Sequence, residues 1–302
     1  MPDTPIHDDV IVVGAGLMGS GIAHAFVIAG HAVTLVDLRP EALEAARASV
    51  GKILADGVRL SKVTEDQARH ALERLSTSTD LAKPLENPKV SLLLETVTES
   101  MPAKTAIARE ADRALPASAV IATNTSALSV TEIAAATKRP DRVIGMHFFN
   151  PVHKMKLVEL VRGLSTSDET VARARAWSES IGKNSILVNE SPGLTTSRMS
   201  ALMGNEAMYM LMEGVASAED IDAALRGGFN HPMGPLELGD LTGWDTRLAV
   251  LKYLHETFGE KFRPCPLISK MVKAGHLGRK TGRGVYEYKD GQRVPGSGLG
   301  RK

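Results

Sequence analysis

The amino-acid sequence predicts an α/β fold, in which a doubly wound parallel sheet is followed by an all-α domain. Short runs rich in β-branched residues and leucine alternate with longer stretches of helical period, and the strand patterns then stop near Ser191. At 302 residues the chain also exceeds the length near which single cores stop growing, roughly 250 residues. We therefore expect domains over 1–189 and 190–288, with a flexible tail over 289–302.

Each predicted element follows from its local pattern. Strands are predicted at 9–14, 32–36, 90–95, 119–123, 142–146, 156–161 and 184–188. Between them, alanine-rich amphipathic helices are predicted at 17–29, 40–55, 64–74, 101–114, 129–136 and 168–182. Several of these helices begin after Ser, Thr, Asp or Pro, which favour helix starts. The second domain is predicted to contain helices at 194–214, 217–226, 234–241, 245–258 and 266–274.

The helix predicted at 194–214 is unusually rich in methionine. Methionines stand at positions 199, 203, 208, 210 and 212, which is a wider apolar surface than one buried stripe requires. This surface could face a partner subunit, or the methionines could fill the core of a single monomer. The pattern favours neither interpretation.

Composition and charge exclude several classes of protein. The chain is 43% hydrophobic with a net charge of +1, which gives no electrostatic case for nucleic acid or a membrane as partner. The apolar run at 90–94 is far shorter than the ~20 residues of a membrane helix. Residues 1–9 are acidic and lack the features of a signal peptide, and the single cysteine, Cys265, cannot form an intrachain disulfide. We expect a soluble, cytoplasmic protein.

A glycine-rich turn follows the first predicted strand. Gly14 permits a tight turn, Gly16 allows the backbone to approach a pyrophosphate, and Gly19 permits close packing of helix on strand. The helix that begins at Leu17 and Met18 offers free N–H groups to the phosphates. A bare G-x-G-x-x-G is weak evidence, but its place between a strand and a helix predicts a Rossmann-type dinucleotide-binding domain.

Asp37 ends the second predicted strand, 23 residues after Gly14. Its carboxylate can accept hydrogen bonds from an adenosine ribose, although it could instead only cap the helix that begins near Pro40. An acid here repels a 2′-phosphate and favours NAD over NADP, whereas Arg39 could accommodate that phosphate. The predicted cofactor is NAD.

Further motifs extend over nearly the whole chain. They are ETVTE at 95–99 with Lys104, TNTSAL at 123–128, GMHFFNP at 145–151 with Glu159, PGLTTSR at 192–198, HPMGPLELGD at 231–240 and GRKTGRG at 278–284. With the glycine-rich turn, they closely resemble the 3-hydroxyacyl-CoA dehydrogenase family, particularly its short-chain 3-hydroxybutyryl-CoA members. The resemblance implies reversible, NAD-dependent oxidation of a (3S)-3-hydroxyacyl-CoA to the 3-oxoacyl-CoA, and a homodimer formed through the helical domain.

His147 is the predicted general acid/base. Alcohol oxidation delivers a hydride to the nicotinamide and a proton to a base, and the histidine pKa of ~6.5 suits both directions. His147 follows a strand-like run, at an edge where open α/β sheets bind ligands. Glu159 lies twelve residues on in another strand-like run, so a chain reversal could pair the two side chains and fix the imidazole tautomer. Without the resemblance, a histidine beside two phenylalanines is more often structural.

The resemblance also implies roles for single residues. The serine matching Ser126 bonds the C3 oxygen of the substrate, while Asn124 lies near the nicotinamide and Asn150 in the reaction centre. Glu99 and Lys104 match positions that contact the cofactor. Each has a simpler alternative, because the serine and the asparagines could be turn or capping residues and the charged pair a solvated helix start.

One position departs from the family pattern. An asparagine that holds the substrate carbonyl usually precedes the arginine of the PGLTTSR segment, whereas here Ser197 precedes Arg198. Serine has a shorter reach and fewer donors than an amide. We expect an altered substrate preference or a lower rate rather than inactivity.

Other interpretations remain open at this stage. Basic residues could meet CoA phosphates or form a solvated face; they are Arg47, Lys52, Arg59 and Lys62. No metal is expected, since His147 and His153 lack the spacing of a zinc site. The rival functions are a related dehydrogenase of a free hydroxy acid or carnitine-like alcohol, and a non-catalytic NAD-binding protein.

Overall fold

The computed structural model describes residues 8–300, and the chain divides after Glu190 into two units. The first unit is built on one eight-stranded sheet. Its strands are β1 (Asp9–Val13), β2 (Ala32–Val36), β3 (Leu75–Ser78), β4 (Val90–Glu95), β5 (Val120–Thr123), β6 (Val143–Phe148), β7 (Leu157–Arg162) and β8 (Asn184–Asn189). The predicted α/β fold with a doubly wound sheet is confirmed.

The strand order is β3-β2-β1-β4-β5-β6-β7-β8. The chain therefore runs from β1 towards one edge and returns at β4 to build the other half. Such a switch point leaves a crevice at the carboxyl ends of the strands, where α/β sheets bind ligands. All neighbouring strands are parallel except β6 and β7, which are antiparallel. That single reversal positions the reaction centre described below.

Seven helices connect the strands of the first unit. They are α1 (Leu17–Ile28), α2 (Pro40–Arg59), α3 (Glu65–Glu73), α4 (Ala82–Leu85), α5 (Met101–Ala114), α6 (Val130–Ala135) and α7 (Asp168–Ser180). Hydroxyl side chains cap three of them, as the sequence predicts: Thr64 for α3, Ser129 for α6 and Ser167 for α7. The core consists of the apolar faces of the strands and helices, with Phe26 and Trp177 among its largest buried side chains.

One strand and one α-helix of this unit were missing from the prediction. Strand β3 has the sequence Leu-Ser-Thr-Ser, and only Leu75 is buried, so its hydrophobic pattern is too weak to see. It forms because it completes the ladder of β2 at the edge of the sheet. Helix α4 is a single turn that contains Pro84, which makes it too short for a periodic signal.

The second unit is helical, as predicted. Its helices are α8 (Thr196–Glu213), α9 (Ala218–Phe229), α10 (Pro235–Thr242), α11 (Trp244–Phe258) and α12 (Pro266–Lys273). Two buried carboxylates tie the following segment to these helices. Asp240 accepts hydrogen bonds from the indole of Trp244 and the amides of Val285 and Tyr286. Asp222 accepts a hydrogen bond of 2.7 Å from the Tyr286 hydroxyl.

The segment predicted to be a flexible tail contains regular structure in residues 289–299. Its flexibility stays a prediction. A short hairpin pairs β9 (Tyr288–Lys289) with β10 (Gln292–Arg293), and the Leu299 amide then donates to the carbonyl of Val285. Leu299 also packs against the core of this unit. The glycines around it in the sequence give no periodic pattern from which this packing could be predicted. Residues 1–7 and 301–302, with the expectation of a signal-free N-terminus, lie outside the described residues.

Within residues 8–300, no helix combines the length and the apolar character needed to cross a membrane. The same part of the chain holds no group of three or more His, Cys, Asp or Glu side chains arranged for a metal ion.

Candidate active site

The glycine-rich turn has the geometry that the sequence predicts. Gly14 has a φ of 101°, and its amide donates to the carbonyl of Val36 at 2.7 Å. A Cβ at Gly14 would lie 2.9 Å from the Thr96 hydroxyl oxygen, and one at Gly19 would lie 1.7 Å from the Gly14 carbonyl oxygen. Both positions therefore require glycine, because β1, α1 and the end of β4 meet there.

The start of α1 is open on the side where a ligand would approach. Gly16 is the N-cap residue and makes no side-chain capping bond, and nothing lies within 4 Å of the place where its Cβ would be. Leu17 is 70% exposed and Met18 is half-buried. The amides of the first helical turn and the positive end of the helix dipole can therefore receive phosphate oxygens.

Asp37 stands directly beside this turn, just after β2. Its Oδ2 accepts a hydrogen bond of 2.9 Å from the Ala15 amide, and its Oδ1 accepts one of 3.0 Å from the Arg39 amide. Burial alone would raise the pKa of Asp37, but these bonds and the Arg39 guanidinium outweigh burial and lower it. The carboxylate is thus held ionised, with lone pairs left for the two hydroxyls of a ribose. The Arg39 side chain lies against this carboxylate, with Nε 3.4 Å from Oδ1.

These features fit a bound NAD. The open space at Gly16, the uncapped start of α1 and the ionised carboxylate of Asp37 lie at the carboxyl ends of adjacent strands. They match the needs of a pyrophosphate and an adenosine ribose in that order.

His147 and Glu159 form a buried pair. They are directly opposite each other in the antiparallel ladder of β6 and β7, and His147 Nδ1 lies 2.7 Å from Glu159 Oε2. Glu159 is fully buried, whereas His147 is 9% exposed. The chain reversal that the sequence predicts is therefore present, and it brings the two side chains together. With Nδ1 donating to the carboxylate, Nε2 is the nitrogen that can exchange a proton.

The segment after His147 remains close to it. The ring of Phe149 has its centroid 4.7 Å from that of His147, and Asn150 is exposed at the beginning of the following loop. Asn124, after β5, accepts a hydrogen bond of 2.9 Å from the Phe148 amide through its side-chain oxygen. Its remaining side-chain N–H groups can serve a ligand.

A buried ion pair lies beneath this edge of the sheet, which the sequence analysis missed. Lys104 is 1% exposed, and its Nζ lies 2.9 Å from Glu95 Oε1. Glu95 also accepts hydrogen bonds from the Thr123 hydroxyl and the Val97 amide. Burial raises the pKa of Glu95, against the opposing effect of Lys104. The sequence did contain a signal for this pair: Glu95 ends the apolar strand β4, and Lys104 lies in the helix that follows, α5.

The buried position of Lys104 bears on its predicted contact with the cofactor. Its ammonium faces Glu95 and also lies 3.5 Å from Glu99 Oε2, while its side chain has no exposed surface. In this structure Lys104 thus stabilises the residues that line the edge, and a direct contact with a cofactor would require its buried side chain to become accessible.

Glu99 holds the turn that carries Ser126. Its Oε1 accepts hydrogen bonds from the Thr125 hydroxyl at 2.6 Å and from the amides of Ser126 and Ala127. Burial would raise the pKa of Glu99, but these bonds and Lys104 lower it. The Ser126 hydroxyl, 3.3 Å from the same oxygen, is exposed and can turn towards another partner.

Ser197 belongs to the second unit, as the second residue of α8. The neighbouring Arg198 guanidinium lies 4.0 Å from the ring centroid of Phe258, which anchors the start of the helix. Among the basic residues for which CoA phosphates or a solvated face were both considered, Arg47 donates to the carbonyl of Leu75. Arg59 pairs with Asp56 on its own helix.

Two family models match the chain. One describes the NAD-binding domain of 3-hydroxyacyl-CoA dehydrogenases and matches residues 9–191. The other describes the C-terminal domain of 3-hydroxyacyl-CoA dehydrogenases and matches residues 193–288. Together they match most of both units, and all the predicted site residues lie within the matched ranges.

Individual relatives cover nearly the full chain. A probable 3-hydroxybutyryl-CoA dehydrogenase from Bacillus subtilis is 46% identical over 282 residues, covering 93% of this chain and 97% of the relative. A 3-hydroxybutyryl-CoA dehydrogenase from Bradyrhizobium diazoefficiens is 42% identical, with 94% and 96% covered. The crystal structure of (S)-3-hydroxybutyryl-CoA dehydrogenase from Ralstonia eutropha has a TM-score of 0.90 at 44% identity, covering 94% of this chain and 100% of that one.

Proposed function

Because this chain belongs to the 3-hydroxyacyl-CoA dehydrogenase family, we propose that it oxidises short-chain (3S)-3-hydroxyacyl-CoA thioesters, with His147 as the general acid/base. Membership of the family confirms the predicted dependence on NAD and the predicted class of oxidoreductase. A preference for short acyl chains is supported by the names of the relatives, which are 3-hydroxybutyryl-CoA dehydrogenases.

The observation that carries the assignment is the 2.7 Å contact between His147 and Glu159. NAD supplies the acceptor for the hydride that leaves C3 of the substrate. In the same direction, Nε2 of His147 takes the proton of the C3 hydroxyl, and the Glu159 carboxylate stabilises the resulting imidazolium. In reduction, the imidazolium returns that proton to the oxygen.

The neighbouring polar residues support this role for His147. We assign Ser126 as a donor to the C3 oxygen, because its hydroxyl is exposed and rotatable, and Asn150 as a second polar group of the reaction centre. Asn124 is assigned to the nicotinamide end of the cofactor. Asp37, with Gly14, Gly16, Leu17, Met18 and Gly19, is assigned to its adenosine and pyrophosphate, and Glu99 to the turn between cofactor and substrate.

Assembly and location form part of the same proposal. We propose a homodimer formed through the helical unit, supported by the exposed methionines of α8, Met199 and Met212. A cytoplasmic location is supported by Cys265, which is buried and has no disulfide partner. Light scattering across a dilution series tests the dimer, because a monomer at micromolar concentration would contradict it.

The function is tested with purified enzyme and substrates of defined chain length. We expect NADH-dependent reduction of acetoacetyl-CoA, and a loss of kcat of about three orders of magnitude in His147→Gln. The exposed His70 of α3, replaced in His70→Gln, is the matched control. Activity of His147→Gln near that of the wild type would contradict the assigned role.

Two further substrates separate the rival functions. Faster NAD reduction with L-gulonate or carnitine than with (S)-3-hydroxybutyryl-CoA would favour a dehydrogenase of free alcohols. NAD binding without hydride transfer, in the wild type and His147→Gln alike, would favour a non-catalytic protein.

A further inference from the structure

A buried lysine holds the loop that connects the two members of the catalytic pair. Lys183 lies in the turn between α7 and β8 and is only 7% exposed. Its Nζ donates hydrogen bonds to the carbonyl oxygens of Val152, at 2.7 Å, and of Met155, at 2.8 Å. Both carbonyls belong to residues 149–156, which join β6 to β7 and which we term the reaction-centre loop.

The surroundings make this position unfavourable for a cation. No carboxylate of residues 8–300 lies within ion-pair distance of Lys183, and burial lowers its pKa. Lys183 interacts electrostatically with the imidazoles of His24 and His153, which would repel the ammonium if they were protonated. A buried ammonium without a counter-charge is costly unless strong acceptors surround it. The two loop carbonyls are therefore the groups that hold Lys183 in place, and Lys183 in turn holds them.

Besides the contact with Lys183, the reaction-centre loop is held by a turn of its own and by the Asn184 amide, which donates to the carbonyl of Lys156 at 2.7 Å. Its only internal turn is made by the amides of Lys154 and Met155, which both donate to the carbonyl of Pro151. On its other side the loop meets α1, where a Cβ on Gly21 would lie 2.9 Å from that of Val152. Lys183 thus holds the loop from the side of β8, while close packing against Gly21 of α1 restricts the position of Val152.

We propose that Lys183 is a positioning residue for the reaction: it fixes the reaction-centre loop and thereby places Asn150 and keeps His147 in register with Glu159. The inference rests on the proposed function, because it gives the loop a role only if these residues act on the substrate. Asn150 is the second residue of the loop, and β6 and β7, which carry His147 and Glu159, flank the loop on its two sides. A displacement of about 1 Å in such a group is sufficient to slow catalysis by about 100-fold.

The test compares four full-length proteins. Lys183→Met keeps the volume of the side chain and removes its donors, whereas Lys183→Arg keeps a cation with several N–H groups. Lys89→Met is the control, since Lys89 is exposed at the opposite, amino end of β4. If Lys183→Met does not fold, Lys183→Gln, which retains one N–H₂ group, replaces it. Each protein is assayed for acetoacetyl-CoA reduction, NADH binding and hydrogen exchange.

We expect Lys183→Met to lose kcat by about 10- to 100-fold while its Kd for NADH changes less than about twofold. The amides of Lys154 and Met155 should exchange at least about tenfold faster, and Lys183→Arg should recover most of the kcat. Unchanged kcat in Lys183→Met would overturn the proposal, even with faster exchange, because the contact would then be purely structural. Unchanged exchange would overturn it as well.

The two proposals fail in different ways. If the wild type does not reduce acetoacetyl-CoA, the proposed function fails, and hydrogen exchange still reports whether Lys183 fixes the loop. If the wild type is active and Lys183→Met is equally active, only the role of Lys183 fails.

Discussion

Both units bury carboxylates, but the groups that face them differ. In the first unit Glu159 faces the imidazole of His147, a partner that can gain or lose a proton. In the second unit, every hydrogen bond that the structure shows to Asp222 and Asp240 comes from a neutral N–H or O–H group. Burial raises the pKa of both aspartates. A titratable partner permits proton exchange, whereas neutral donors only fix geometry. Under the proposed function, the carboxylate of Glu159 therefore serves chemistry, while those of Asp222 and Asp240 serve architecture.

The strongest way to break this comparison is to make the same carboxyl-to-amide change in each unit. In the first unit, Glu159→Gln should lower kcat by about 100-fold, equivalent to ~3 kcal/mol of barrier, because an amide cannot stabilise the imidazolium. Steady-state rates in both directions measure this loss. The melting temperature should change little, and a kcat within about threefold of the wild type would contradict a chemical role for this carboxylate.

In the second unit, the equivalent change should affect stability instead. Asp240→Asn places an amide N–H₂ group where the donors of Trp244 and Tyr286 converge, so we expect a loss of about 2–3 kcal/mol of unfolding free energy. Urea unfolding of the variant measures the loss, with the exposed Asp290→Asn as control. A normal stability combined with a large loss of kcat would reverse the comparison.

A buried histidine extends the comparison, because its burial should make the stability of the protein depend on pH. His24, near His153 and Lys183, has its pKa lowered to about 4, first by burial and then by these neighbours. In the unfolded chain the pKa is ~6.5, so between pH 6.5 and pH 4 only the unfolded chain takes up a proton. The stability present above pH 6.5 is lost as the pH falls through this window, by about 2 kcal/mol between pH 7 and pH 5. Part of the acid sensitivity should disappear in His24→Gln and persist in His70→Gln.

The smallest expected effect tests whether the second unit contributes to substrate preference. Ser197→Asn should raise kcat/KM for acetoacetyl-CoA by about three- to tenfold, because an amide reaches further and offers more donors than a hydroxyl. Assays across acyl-CoA chain lengths show whether the gain is general or specific. An unchanged profile would remove this position from the account of specificity.

The sequence predicts most of the fold because its signals are local. The glycine-rich turn and the strand before it are visible in a window of about ten residues, and each long helix shows its own period. Strand β3 (Leu75–Ser78) is not predictable from the sequence, because its pairing with β2 stabilises it rather than apolar residues of its own. The order of the tail escapes for the same reason, since Leu299 is fixed by a contact with Val285.

In the candidate site, too, contacts between residues close in sequence are predictable, whereas contacts that depend on tertiary packing are not. The pairing of His147 with Glu159 is predictable, because a reversal over twelve residues can place two strand residues opposite each other. The contact between Lys183 and the reaction-centre loop is not predictable from the sequence. The two segments come together because β8, which follows Lys183, pairs with β7, which follows the loop. Likewise, the burial of Lys104 depends on the packing of α5 beneath the sheet, whereas the sequence analysis placed this residue at a cofactor contact or at a solvated helix start.

The carboxylates of the second unit also limit where the chain can be altered. A Cβ on Gly234 would lie 2.3 Å from Asp222, and one on Gly284 would lie 2.0 Å from Asp240. The close contact of Gly284 with Asp240 therefore packs the motif at 278–284 against the motif at 231–240, although residues 241–277 separate them in the chain. A C-terminal truncation that reaches residues 278–288 would remove the groups that pack on Asp240 and donate hydrogen bonds to it. Fusion partners and tags should therefore be attached after this segment and should not replace it.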